Sequence, residues 1–538
     1  MTALCGLVRY GATPDYLPKT ARTLLNATKG RGSDAVGLWV APDAPIALAA
    51  RPLQTLDLTA DGAQPALART KALAAIMDGY IANGAALRRE LEEAGITFHG
   101  HSDAELLVES VAHWGLNRLL QKLEGAFAFA LWDGDARALH LVRDRMGIKP
   151  IYVMQADGLF AFASDSAALA TLPEYAPQKG IDARAVSACL QLGYVPAPLS
   201  LRAGLICLPA GHRLMLRPED KTLPAPERWW SAASTLEEVA LRGNNTDNQT
   251  AKIEKLQANL ITEALRLDTS FALLDAGAIE TRSLRTGIDH LNDKPFKTIA
   301  QPDVDAVMLQ NAFDALAHLP QPVCDPVAIA WWCACVAARD VAPVVMAATD
   351  LLVSDDDIPA TPGKLAVWIA HIKSMLPVKT RPARDAWLES IGLWNDATAI
   401  TGVVFEPDWP LPRLEWPQAR TAAYFDMSAT LIEGQIPALD ALAGSHGLEI
   451  RMPFTDQRIL EYGLPRPFKT TLDIAAWLRG PLRVRVQNLM DKTAFEKLKL
   501  ADHRPVTTAW DEFLAGNNTH TARLWVYATL AAWTKHNG

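Results

Sequence analysis

The passage Asp275-Ala276-Gly277-Ala278-Ile279-Glu280-Thr281-Arg282 joins a short apolar run, Phe271 to Leu274, to a helix-like stretch. Four other groupings hold residues of chemically capable types. His99, His101, Asp103 and Glu105 alternate, and such residues can meet on one metal ion. They sit where a loop enters a helix capped near Ser102, and they read as that loop and not as a metal site. Cys333 and Cys335 lie in an apolar helical run, where positions i and i+2 point apart, so they read as core thiols. Trp331 and Trp332 read as packing, and Ser354-Asp355-Asp356-Asp357 as a solvated loop. No metal ligand set is expected.

The elements that must position any site fall into two grammars. Gly125 to Leu131 sets Phe127, Phe129 and Leu131 on one face and Ala126, Ala128 and Ala130 on the other. That period of two predicts a buried strand packed closely on its alanine side. Asp133-Gly134-Asp135 turns it back into Ala138 to Val142, and a second hairpin runs from Ile151 to Ala163 about Asp157-Gly158. Ala104 to Trp114 carries Leu107, Val108 and Val111 on one helical stripe. The prediction is a layered α+β domain over residues 1–235, with antiparallel sheets between helices. Polar 243–248 suggests a linker over 236–250. From 251 to 538 the pattern becomes α/β: a helix from Lys252 to Leu267, then short buried strands at Phe271 to Leu274, Phe296 to Ala300 and Val344 to Ala348 between helices. Residues 354–362 and 407–417 read as loops.

Composition sets limits on function. A chain of 538 residues is too long for one core. Its net charge of −8 argues against a nucleic-acid or anionic-membrane partner. The longest apolar candidate, Val323 to Val336, is broken by Asp325 and Pro326, so no membrane span is expected. The first residues show no basic segment followed by an apolar one, and six scattered cysteines suit a reducing compartment. The expected location is cytoplasmic.

Several segments together carry a family resemblance. Arg31-Gly32-Ser33-Asp34 with Gly37-Leu38-Trp39, Ser102-Asp103-Ala104-Glu105, Arg143 to Pro150 and Phe162-Ala163-Ser164-Asp165 resemble class II glutamine amidotransferases. Gly193 to Pro198, Leu208 to His212 and His446-Gly447-Leu448-Glu449-Ile450-Arg451-Met452-Pro453-Phe454 resemble the remainder of glutamine-hydrolysing asparagine synthetases. The resemblance implies an Ntn-hydrolase-like sandwich followed by a parallel-sheet synthetase domain of the ATP-pyrophosphatase type.

It also implies roles for particular residues. Cys5-Gly6-Leu7 is similar to the family's C-G-I, which makes Cys5 the candidate nucleophile, although four residues precede it. Arg31 would bind the glutamine carboxylate and Asp103 its ammonium. The family's N-G-E is Asp78-Gly79-Tyr80: an ionised Asp78 would repel the oxyanion, and Tyr80 removes an ammonium contact. The nucleotide loop S-G-G-x-D-S corresponds to Ala276-Gly277-Ala278-Ile279-Glu280-Thr281, with one glycine and the small hydroxyl gone. The later acidic loop corresponds to 347–353, where Leu352 and Val353 bring no oxygen to Mg²⁺. The acceptor-holding D-E-P is Pro320-Gln321-Pro322, while Asp440 and Glu449 survive as remnants of the synthetase site. The expectation is a non-catalytic homologue serving as a structural or regulatory partner, in a homodimer or a heterodimer with an intact paralogue. No cofactor is expected on that reading. The alternatives are an active ligase using ATP, Mg²⁺ and glutamine, and a residual glutaminase.

Overall fold

The computed structural model describes residues 1–538 apart from 10, 12, 14, 29, 243–248, 276–278, 292–294, 301–302, 349–350, 353–376, 379, 392, 408, 410–415 and 469–471. The loop expected at 354–362, most of that at 407–417, and the centre of the nucleotide loop lie outside the described residues.

Two six-stranded antiparallel sheets form the N-terminal domain. In the first, Ala3–Arg9 pairs with Leu159–Ala163 at the centre and with Ile46–Arg51 on its other side, and Gly37–Val40 closes one edge. In the second, Leu73–Ile81, Gly125–Asp133 and Ala138–Arg143 are consecutive neighbours, with Ala66–Leu67 at one edge. The alternation in Gly125–Asp133 decides the layering. Phe127, Phe129 and Leu131 pack with Leu107, Val108 and Val111 of helix Asp103–Trp114. Ala128 and Ala130 face the other sheet, where they meet Leu4, Val8 and Phe162. Small residues on the inner face let the sheets close on each other. Helix Tyr16–Ala27 covers the outer face of the first sheet. Helix Asp103–Trp114 starts as its sequence predicts, with the Ser102 hydroxyl accepting from the Glu105 N–H.

The C-terminal domain holds a four-stranded parallel sheet in the order Lys297–Ala300, Phe271–Asp275, Val344–Met346, Glu449–Arg451. The two middle strands end at the nucleotide-loop and acidic-loop counterparts, which is where open parallel sheets place their ligands. Within the expected linker 236–250 both ends are helical: Ala232–Arg242 and Gln249–Ala264 flank 243–248. Leu236 is buried on the first of these helices, and the polar stretch 243–248 lies outside the described residues.

The domains share one apolar cluster. Tyr80, Met146, Val186 and Cys189 from the first domain pack in it with Cys324, Leu439 and Trp525 from the second. The Cys189 and Cys324 sulfurs lie 3.5 Å apart across this seam. Cys333 and Cys335 are buried in helix Val327–Ala338, as the helical spacing predicts.

Candidate functional site

Strand Ala3–Arg9 settles where Cys5 points. Leu4 and Val8 face the inter-sheet core, so Cys5 faces the opposite layer with Leu17, Ala21 and Leu24. Its Sγ lies 3.6 Å from the Ala21 carbonyl, and burial pushes the thiol well above its ordinary range. Cys5 thus lies in the layer under helix Tyr16–Ala27, on the side of the strand opposite Leu4 and Val8.

Arg31, Asp78 and Asp440 do converge. Arg31 Nη1 donates to Asp78 Oδ2 at 3.1 Å and Nη2 to Asp440 Oδ2 at 2.6 Å. The Lys149 ammonium donates to Asp440 Oδ1 at 2.9 Å, and the Thr2 N–H donates to Asp78 Oδ1 at 2.7 Å. All four charged side chains are buried. Two positive and two negative groups therefore compensate one another away from water. Burial alone would raise both carboxyls. At Asp440 the Lys149 and Arg31 charges outweigh it and hold the group below the usual range, while at Asp78 burial wins and the group lies above. The fork expected to grip a substrate carboxylate is filled by two of the protein's own, one from each domain.

The expected ammonium site is filled in the complementary way. Asp103 Oδ2 accepts the Ile81 N–H at 2.8 Å, and Oδ1 accepts Arg266 Nη2 of the C-terminal domain at 3.1 Å. Tyr80 lies under the Arg451 guanidinium, whose carbon is 4.2 Å from the ring centroid. Arg451 also donates to Glu449 at 2.8 Å and to Thr55 Oγ1 at 3.2 Å. Gly79 takes φ +100° where its Cα passes the Ala126 carbonyl, a position with no room for a side chain. His99, His101 and Glu105 stitch a loop: Glu105 accepts the His99 and Gly100 N–H groups, and the His101 ring meets Asp268.

On the synthetase side Thr281 is buried at the start of helix Ile279–Leu291. Ala276, Gly277 and Ala278, and the side chain of Glu280, lie outside the described residues. Leu351–Leu352 pairs antiparallel with Leu464–Pro465, so backbone from the acidic-loop counterpart is used in a ladder. Sequence reasoning missed Lys149, Arg266 and Arg451. Arg143 to Pro150 and His446 to Phe454 were noticed as framework motifs, but nothing local shows which carboxylate each cation meets.

Comparison with known proteins matches two regions of the chain to domain families. The glutamine amidotransferase domain family matches residues 1–230, and the asparagine synthase family matches 369–473. Asparagine synthetase [glutamine-hydrolyzing] 1 of Bacillus subtilis is 31% identical over 189 residues, 35% of this chain and 29% of that protein. A Mycobacterium tuberculosis protein provisionally named asparagine synthetase [glutamine-hydrolyzing] is 29% identical over 302 residues, 52% of this chain and 45% of that protein. The chain thus matches less than half the length of these curated relatives. A solved glutamine phosphoribosylpyrophosphate amidotransferase from B. subtilis aligns over 64% of this chain and 81% of its own at 13% identity; its TM-score of 0.33 is too low to bear on the fold. The two matched domains, in this order, and the named relatives support an asparagine synthetase-family protein, with a glutamine amidotransferase domain followed by a synthetase domain.

Proposed function

We propose that this chain is a non-catalytic member of its family whose glutaminase-like domain has become a structural partner of its synthetase-like domain. The observation that carries the reading is the Arg31–Asp78–Asp440–Lys149 quartet, which occupies the carboxylate fork with internal carboxylates. Arg266 on Asp103 supports it from the ammonium side. A zwitterionic amino acid would have to displace two buried ion pairs to bind there, and each costs several kcal/mol to break. The Cys5 side chain on the helix-facing layer leaves the fork without a thiol beside it. The alkyl residues at 351–353 argue in the same direction for ATP chemistry. The protein's role on this reading is association, as a homodimer.

Two assays on purified protein test the proposal. Ammonia release from glutamine, and pyrophosphate release from ATP with Mg²⁺ and a panel of carboxylates including aspartate, are both expected to stay at the level of a no-protein control. Carboxylate-dependent pyrophosphate release would overturn it in favour of an active amide ligase. Ammonia release lost in Cys5→Ala would overturn it in favour of a residual glutaminase.

A further inference from the structure

All six cysteines are free thiols and buried, and two of them meet. Cys189 and Cys324 come from different domains and stand 135 residues apart in the chain, with their sulfurs in hydrogen-bond contact at 3.5 Å. The approach is fixed from both sides. Cys189 sits inside helix Ala183–Leu192. From that helix the Ser187 hydroxyl donates to the Val403 carbonyl at 2.9 Å, and the Leu190 carbonyl accepts the Trp394 N–H at 3.3 Å. Cys324 sits just before helix Val327–Ala338. The run that leads to it is pinned back onto the N-terminal domain. The Pro320 carbonyl accepts from the Ser166 hydroxyl at 2.6 Å. Gln321 accepts the Leu201 N–H at 2.9 Å and donates to the Ser200 hydroxyl at 2.7 Å. A disulfide needs its sulfurs at about 2.05 Å. Cys324 lies outside any helix or strand, so its side chain is the one free to close the gap while the helix holds Cys189.

The two thiols are not equivalent. The hydrogen bond to Cys324, and then burial, raise the Cys189 thiol well above its ordinary range. Cys189 therefore keeps its proton and donates it toward the Cys324 sulfur. Cys324 is also among the residues that line a half-open cavity of about 260 Å³ in the seam, and Cys189 is not. The thiolate is the form of cysteine that attacks an oxidant, which gives the first step to Cys324.

We propose that Cys189 and Cys324 are an oxidative modification site, at which hydrogen peroxide makes a disulfide that ties the two domains. The Cys324 sulfur gives up its proton, attacks one peroxide oxygen and breaks the O–O bond. The hydroxide released takes that proton and leaves as water. The Cys189 sulfur then attacks the Cys324 sulfenic acid and expels hydroxide, which takes the Cys189 proton and leaves as a second water. Two thiols lose two electrons, and one peroxide is reduced to two waters. The chemistry uses no residue of the Arg31 fork, so it stands whether or not the non-catalytic reading does.

The test is a thiol count and a peptide map of the full chain. Reduced protein is held with millimolar hydrogen peroxide, then unfolded and alkylated. Free thiols are expected to fall from six to four, with one peptide pair joined through Cys189 and Cys324, and dithiothreitol is expected to restore six. The bridged protein is expected to melt about 3 °C above the reduced one. In Cys189→Ala, dimedone is expected to capture a sulfenic acid on Cys324, whereas in Cys324→Ala it is expected to leave Cys189 unlabelled. The wild-type map decides the matter if either variant fails to fold. Six free thiols after peroxide, a bridge between any other pair, or Cys324 passing to sulfinic acid beside a free Cys189 would each overturn the assignment. A bridged protein that melts no higher would overturn the tie between domains, and dimedone on Cys189 in Cys324→Ala would overturn the order of attack.

Discussion

Arg31 and Asp103 have the residue types that recognise an amino acid, but each holds a group from the other domain. The difference between a substrate-binding and a structural arginine is measurable. If Arg31 waits for a ligand, removing it leaves folding almost untouched. In the quartet, Arg31→Ala strands Asp78 and weakens the hold on Asp440, both buried. Removing one partner of a buried pair costs about 3–5 kcal/mol. Arg31→Ala and Asp440→Ala are therefore each expected to lower unfolding free energy by about that amount in urea titrations, and glutamine is expected to leave the wild-type midpoint unmoved. A loss below about 1 kcal/mol in both variants would contradict the structural role. Glu124 gives a second residue-scale expectation. Burial, helped by Asp456 and Glu263, outweighs Arg458 and pushes its carboxyl up to about 7. An acid raised on folding binds its proton more tightly in the native state. Its contribution is full below the unfolded value near 4.3 and is lost as pH rises to about 7. Denaturation midpoints measured from pH 4.5 to 7.5 should fall less steeply in Glu124→Gln than in the wild type; parallel curves would refute the assignment.

At the scale of elements, the first domain was legible because its signals are local. The Phe127/Phe129/Leu131 alternation, the Asp157-Gly158 turn and the Ser102 cap each specify their own few residues, and each is found where its pattern puts it. The parallel strands were legible as apolar runs, with ends within a few residues of those observed. The helices Ala232–Arg242 and Gln249–Ala264 on either side of 243–248 extend into the expected linker, where the polar letters gave no helical period. The candidate site was half legible. Family motifs brought Arg31, Asp78 and Asp440 into view, but the contact between Arg31 and Asp440 spans 409 residues and that between Lys149 and Asp440 spans 291. No periodicity reports a pairing at that separation. Cys5 is buried, and the two-residue alternation of its own strand sets it in the layer under helix Tyr16–Ala27. Gly79 is where motif and element agree for a physical reason. A β-carbon there would sit 2.0 Å from the Ala126 carbonyl oxygen at φ +100°. Gly79→Ala must therefore distort the central pairing of Leu73–Ile81 with Gly125–Asp133. A loss of several kcal/mol, or accumulation as insoluble protein, is the expected result. A Gly79→Ala protein melting with the wild type would show that this strand tolerates the shift.

For the whole molecule, the two domains are tied by charges as well as by the shared apolar cluster. Arg458 reaches Glu124 at 2.7 Å, and Arg266 and Arg451 add their own contacts across the seam. No described helix is long and apolar enough to cross a membrane. Strand Gly37–Val40 ends the first sheet and Ala66–Leu67 ends the second, and the two edges lie together, with the Gln64 carbonyl close against Gly37. Val36, Val40 and Leu67 are exposed along them. Unpaired strand edges bearing apolar side chains are natural pairing surfaces, and a second copy presents the same edges for a two-fold interface. Such an interface should bury on the order of 1,200–2,000 Å². Light scattering of the full chain is expected to give twice the 58.5 kDa of one copy at micromolar concentration. Val40→Lys with Leu67→Lys, both on exposed positions, should return it to one copy without lowering its melting temperature, since neither side chain is in the core. A wild-type mass of one copy at every concentration would remove the homodimer, and co-purification with a longer family member from native extract would replace it with a mixed pair. A dimer that survives both lysines would place the interface elsewhere on the surface.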